Sequence, residues 1–293
     1  MKFDSYHPAI NLLFFAAVFT CAFCFNQPVF LLIGYVCAFA YSVKLNGWRA
    51  LFFNLALLPF LAAYVWFYSF YNHFGITNLA VNFIGNQITL EALAVGFVKG
   101  VQIVSALMWL SCLHAVFTAD KIIYLLGRIA PRLSLFVSIF LRTAPRVKRF
   151  AQKVNASRSC IGMGKTQGGA LRAVRNALRM GSIVLTWLIE SFTEISASMK
   201  CRGYTLKGRT AFSIYRFDKR DRSVVIAMFI CSSAVLAGHM LDQTRILYNP
   251  QILLNRITPF SFVFYAAYAA FCLLPFALQT IGELRLKRKK HAL

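Results

Sequence analysis

The sequence predicts an all-α, polytopic membrane protein: about six transmembrane helices, with a set of cytoplasmic amphipathic helices inserted between spans four and five. Three observations carry this. Hydrophobic residues make up 59% of the 293-residue chain and its mean hydropathy is +0.61, whereas soluble domains average roughly 45–50% apolar. Charged residues fall to 14%, against about 25% in an ordinary chain. The positive charge is also segregated. Of 32 Lys and Arg residues, 21 lie between Lys121 and Arg222 and five more in the tail from Arg285 to Lys290, within a net charge of +23. A basic block between apolar stretches marks a cytoplasmic segment by the positive-inside rule.

The elements follow in order. Residues 9–25 form an apolar run of about 17 residues, near the minimum for a span. No basic lead precedes it and no small-residue cleavage site closes it, so no cleavable signal peptide is expected. Asn26, Gln27 and Pro28 make a turn, and residues 29–43 a second, shorter run. Residues 44–49 form a loop with two cations, Lys44 and Arg49. Residues 50–70 are a third span, which Pro59 should kink. Residues 71–91 carry asparagines but no Lys or Arg, and are expected to form an external loop with room for a short interfacial or re-entrant helix. Residues 92–117 are the fourth span, and Thr118, Ala119 and Asp120 read as a helix N-cap group. Four spans return the chain to the side of its N-terminus. The cations of the 44–49 loop place that side in the cytoplasm.

Residues 121–222 are predicted to be a cytoplasmic helical domain, dividing the chain into 1–120, 121–222 and 223–293. Residues 122–130 form a short amphipathic helix. Residues 131–141 are apolar but too short to span, and end in Arg142-Thr143-Ala144-Pro145. A strongly basic helix continues over 146–155, a glycine-rich turn occupies 162–169, and 170–180 are basic again. From Gly181 to Tyr204, Leu185, Leu188, Ile189, Phe192, Ile195 and Met199 recur at three- and four-residue spacing and share a face. Ser182, Thr186, Glu190 and Glu194 line the other. Lys200 and Arg202 stand at the C-terminal end, where the helix dipole favours cations, and Gly203 supplies a left-handed cap position. Residues 223–241 and 259–281 are the fifth and sixth spans, and the polybasic tail belongs in the cytoplasm with the N-terminus.

Several chemistries lack their residues. Nucleic-acid binding is not expected, because no recognised motif accompanies the basic block. Cys21 and Cys24 form a CxxC pair inside an apolar helix, with no second pair or nearby His, and read as packing thiols. Gly164-Lys165-Thr166 has the end of a phosphate-binding loop, but Ser159 stands where the first glycine belongs. No acidic pair suited to a catalytic metal is present, so no metal, cofactor or catalytic residue is expected. Lys99 lies about seven residues inside the fourth span. It serves either as a polar contact within the bundle or towards a partner subunit, or as a cation snorkelling to the interface.

Arg158 and Arg202 each follow a helical segment with small residues close by: Ala156, Ser157 and Ser159 for the first, Ala197, Ser198 and Gly203 for the second. Two readings stand side by side: arginines that merely cap two helices, and guanidiniums offered to a partner's carboxylates or carbonyls.

At these residues the sequence resembles the transmembrane T component of energy-coupling factor transporters, the EcfT/CbiQ family. Residues 126–145, LGRIAPRLSLFVSIFLRTAP, resemble the family's apolar segment that ends in an arginine and a proline, here Arg142 and Pro145. Residues 198–204, SMKCRGY, resemble its second Ala-Arg-Gly motif, read here as Cys201-Arg202-Gly203. Residues 155–159, NASRS, stand where the first belongs, read as Ser157-Arg158-Ser159. The likeness runs from about residue 92 to 216. It implies a non-catalytic subunit joining two cytoplasmic ABC-type ATPases to a small membrane S component that captures a vitamin or a metal ion. On that reading Arg158 and Arg202, with Ser157, Ser159, Cys201 and Gly203, dock on the ATPases. Arg142, Pro145, Glu190 and Glu194 shape the coupling helices. The alternative is a self-sufficient secondary transporter or channel, for which Lys99 is the one intramembrane ionisable candidate.

Overall fold

The computed structural model describes residues 3–81, 87–164, 169–204, 206, 215, 217–244, 246, 248 and 259–291. Lys165 and Thr166, Asn82 and Asn86, Arg216 and most of the segment 242–258 lie outside the described residues, as do the side chains of the polybasic tail. The chain divides into two compact units. One comprises Met1–Thr118 with Tyr215–Leu293, the other Ala119–Ile214.

The first unit is a helical bundle of α1 (Pro8–Cys24), α2 (Pro28–Asn46), α3 (Trp48–Tyr71), α4 (Leu90–Val116), α8 (Lys219–Met240) and α9 (Pro259–His291). Its helix starts are set by local chemistry. Pro8 and Pro28 occupy first-turn positions that need no N–H donor, and His7 Nδ1 accepts a 3.3 Å hydrogen bond from the Ala9 N–H. Gly47, at φ +61°, turns α2 directly into α3. Asp218 and Asp221 form a reciprocal capping box at the start of α8, which satisfies two otherwise orphan N–H groups. Five helices, α2, α3, α4, α8 and Pro259–Leu284 of α9, are long and apolar enough to cross a membrane; α1, at 17 residues, is shorter than the other five. This is the architecture of a multi-pass membrane protein.

Helix α4 is the centre. It packs against α1, α2 and α3, and Trp109, fully buried, receives Phe14 and Phe15 of α1 and Tyr41 of α2 at ring-centroid distances of 5.9, 6.3 and 6.1 Å. Against α3 the approach is closer. A Cβ at Gly96 would stand 3.2 Å from Tyr68 Cδ1 and 3.4 Å from the Val65 carbonyl oxygen; at Gly100 it would meet Tyr64 at 3.4 Å. Gly96 and Gly100 are four apart, the small-residue spacing that lets two membrane helices meet backbone to backbone.

Two expectations are corrected here. The segment between α3 and α4 forms no interfacial or re-entrant helix among its described residues. It holds a two-stranded antiparallel hairpin, β1 (Asn78–Val81) and β2 (Gln87–Thr89), with Val81 opposite Gln87, so the fold is α-helical with one small β-ribbon. The hairpin is tied down by Glu91, whose carboxylate accepts a 2.7 Å hydrogen bond from the Thr77 hydroxyl and a 3.3 Å bond from its N–H. The second correction concerns the basic block. The segments 131–141 and 146–155 are one 30-residue helix, and 170–180 and the helix from Gly181 are one 32-residue helix.

The second unit is therefore α5 (Ala119–Ile129), α6 (Pro131–Cys160) and α7 (Ala170–Cys201). Ala130 separates α5 from α6, and the Ser134 hydroxyl donates to the Ile123 carbonyl at 2.8 Å. Helices α6 and α7 run antiparallel. Phe150 stacks on Trp187, and Asn176 Nδ2 donates to the Gly164 carbonyl at 3.3 Å.

Candidate functional site: the arginine cleft of the second unit

Both long helices of the second unit end in the same way. At the end of α7, Gly203 has φ +74°. Its N–H donates to the Lys200 carbonyl at 3.0 Å, and the Tyr204 N–H to the Met199 carbonyl at 3.1 Å. At the end of α6, Gly162 has φ +70°. Its N–H donates to the Ser159 carbonyl at 3.2 Å, and the Met163 N–H to the Arg158 carbonyl at 2.9 Å. Each is a paired closing bond around a left-handed glycine, which satisfies the last helical carbonyls.

The two arginines nevertheless occupy different positions. Arg202 is the C-cap residue of α7 and is exposed, so its guanidinium stands at the tip. Arg158 lies three residues before the Ile161 cap, inside the last turn. Its Nε donates to the Met163 carbonyl at 3.3 Å, and its Nη2 is buried without a hydrogen-bond partner. The helix ends make the two sites different, because the cap glycine follows Arg202 directly and follows Arg158 by four. Cys201 and Ser157 are exposed, Ser159 is half-buried, and the Ser157 hydroxyl donates back to Lys153.

Between α6 and α7 opens a cleft of about 450 Å³. Ser138, Arg142 and Arg146 face it from α6; Glu194, Ser198 and Arg202 face it from α7. Three of the residues singled out from sequence, Arg142, Glu194 and Arg202, thus converge across about sixty residues of chain. Pro145 and Glu190 do not line it, and both are exposed. Arg146 and Ser138 were not singled out, although the four-residue steps from Ser138 to Arg142 to Arg146 put all three on one helical face. Three guanidiniums against one carboxylate leave the cleft at +2. Among the described residues the ion pairs are Lys44–Glu283 at 3.5 Å and Arg220–Asp218 at 3.1 Å, so no cleft arginine is neutralised by a salt bridge. Convergent, unpaired guanidiniums are built to take an anion, because each can fork onto two oxygens.

Lys99 sits in the first unit and is exposed on α4, so it is no contact within the bundle. Its level is informative. Gln102, less than one turn further along α4, donates to the Phe25 carbonyl at 2.7 Å and to Asn26 Oδ1 at 2.8 Å. Those residues form the turn between α1 and α2. The short α1 therefore ends beside the middle of α4, and Lys99 lies about 4–5 Å beyond that turn at 1.5 Å rise per residue.

Among the described residues no group of three or more His, Cys, Asp or Glu side chains could hold a metal ion. No family model matches the chain, and no curated protein matches it significantly.

Proposed function

We propose that this chain is the transmembrane T component of an energy-coupling factor importer, in which ATPase motions pass through α6 and α7 to a small substrate-binding S component for vitamin or metal-ion uptake. The observation that carries the reading is Arg202: an exposed guanidinium at the glycine-capped tip of a 32-residue amphipathic helix that has no buried residue. A helix of that length left uncovered needs a partner on more than one side, since packing of an amphipathic face supplies most of a helix's stability.

In this reading α1 is the first of six spans, both termini are cytoplasmic, and the protein lies in the plasma membrane. Two ABC-type ATPases dock on the arginine tips, and the chain itself catalyses no step. Arg202 carries the main contact, because it is presented, while Arg158 is folded back on its own cap.

The test is affinity purification of the tagged chain from its native cells in mild detergent, with partners identified by mass spectrometry. Recovery of ABC-type ATPases and a small hydrophobic protein is expected, together with loss of the ATPases and of uptake in Arg202→Glu. Retention of both assembly and uptake by that variant refutes the docking role. Recovery of the chain alone favours the self-sufficient transporter.

A further inference from the structure

The arginine cleft has a feature that docking on a soluble partner does not use. On α6, Phe136 and Phe140 are 68% and 58% exposed and stack on each other with centroids 6.4 Å apart. On α7, Phe192 is exposed as well. At 100° per residue, the exposed phenylalanines lie about 110° round from the cleft-lining residues, in the same rotational sense on both helices. Because α6 and α7 are antiparallel and face each other, equal rotations in the same sense bring both stripes to one side of the pair. The cleft therefore has a cationic interior in which Leu135, Ile139, Ile195 and Met199 stand between the polar groups, and three exposed phenylalanines along one rim.

We propose that this cleft is a binding site for an anionic phospholipid. The phosphate is held by Arg142 and Arg146, which leaves Arg202 at the tip free for the docking role, and the acyl chains lie along Phe136, Phe140 and Phe192. The chemistry follows from the lining. Guanidinium forks match the paired oxygens of a phosphodiester, and basic pockets beside apolar helix faces are the recurrent form of headgroup recognition. Ser138 and Ser198, one on each wall, offer hydroxyls to the same headgroup. Glu194 sets the selectivity. It leaves the cleft cationic, but disfavours ligands bearing several negative charges against one phosphodiester. A soluble anion would use the arginines and leave the phenylalanine rim bare; an acidic protein side chain would do the same. An anionic lipid is the ligand that meets both halves. The bound lipid anchors the second unit at the membrane surface by a specific contact, beyond the general attraction of a +23 chain to an acidic leaflet. The assignment does not depend on the transporter reading.

The experiment uses the full chain in a detergent that preserves lipid adducts, titrated with phosphatidylglycerol or phosphatidylcholine and read by native mass spectrometry. Phosphatidylglycerol is expected to bind at least tenfold more tightly. The double variant Arg142→Gln/Arg146→Gln, which keeps Arg202, should lose that preference. Arg172→Gln/Arg175→Gln removes the same charge from α7 away from the cleft and should keep it. Should the first double variant fold poorly, Arg142→Lys/Arg146→Lys retains the charge without the forks and should show an intermediate loss. Equal loss in the cleft and control variants would mean general surface charge and overturns the assignment. So does complete displacement of the lipid by millimolar inorganic phosphate, which would make the ligand a free phosphate. Unchanged lipid binding in Arg142→Gln/Arg146→Gln, with loss of co-purifying soluble protein, assigns the cleft to an acidic protein group and likewise overturns it.

Discussion

Phe150 of α6 and Trp187 of α7 stack face to face, with ring centroids 4.3 Å apart and planes 14° from parallel. The pair lies between the arginine cleft on one side and the Asn176–Gly164 bond on the other. It therefore acts as the rivet of an antiparallel helix pair in which α7 buries nothing completely. Trp187→Ala removes a large half-buried ring and its stacking, and should weaken the α6–α7 pairing by about 1–3 kcal/mol. The loss should be local. Hydrogen exchange is expected to rise in α6 and α7 while α4 stays protected, and Trp187→Phe should recover most of the protection. Uniform loss across both units would contradict the division into separate packing units.

The tip of α7 depends on Gly203. A side chain at φ +74° adopts a left-handed conformation, and its Cβ would stand 3.0 Å from Leu206 Cδ1. Gly203→Ala should cost about 1–2 kcal/mol, concentrated in the last turn, and should displace Arg202 without removing it. Partner co-purification is therefore expected to fall in Gly203→Ala although every charge is retained. Gly203→Asn, which tolerates the left-handed region better, should be milder.

The asymmetry between the two arginine sites gives an ordering. Arg202→Ala removes a presented guanidinium, while Arg158→Ala removes one whose Nε is already engaged by Met163. On the proposed docking role, assembly with ATPase partners should suffer more from the first, by tenfold or more in the concentration needed for half-maximal complex, and stability more from the second. The reverse ordering, measured by pull-down titration beside thermal unfolding, would move the docking role to α6.

The close contact of α3 with α4 makes Gly96 sensitive to bulk. Gly96→Ala demands a shift of a few tenths of an ångström from Tyr68; Gly96→Leu cannot be accommodated that way. The leucine variant should lose about 1–3 kcal/mol by overpacking, read as a lower unfolding temperature in detergent. Lys99→Leu, three residues away on an exposed position, should change stability by no more than about 0.5 kcal/mol. A large loss there would mean that Lys99 has an interior partner after all.

Much of this architecture was legible in the chain. The apolar runs, Pro28 and Gly203 act within a few residues of themselves and could be read where they stand, whereas the loop expected over 44–49 shrinks to Gly47 alone between α2 and α3. The hairpin at 78–89 was missed because its two strands are four and three residues long, too short for alternation to separate from an irregular loop. The segments read separately on either side of 142–145 and of Gly181 join into two long helices. Charge clusters change the composition of a helix without changing its period, and a lone glycine in a long helix costs only about 1 kcal/mol.

The sequence by itself determined that the protein is a set of apolar helices interrupted by a basic, amphipathic block, because hydropathy, charge and helix-ending residues are local properties. Tertiary structure alone decided which charges meet. Arg142 and Arg202 are sixty positions apart, and only the antiparallel return of α7 along α6 brings them to one cleft with Glu194. The difference between Arg158 and Arg202 is by contrast local, because the capping glycine follows Arg202 directly and follows Arg158 by four.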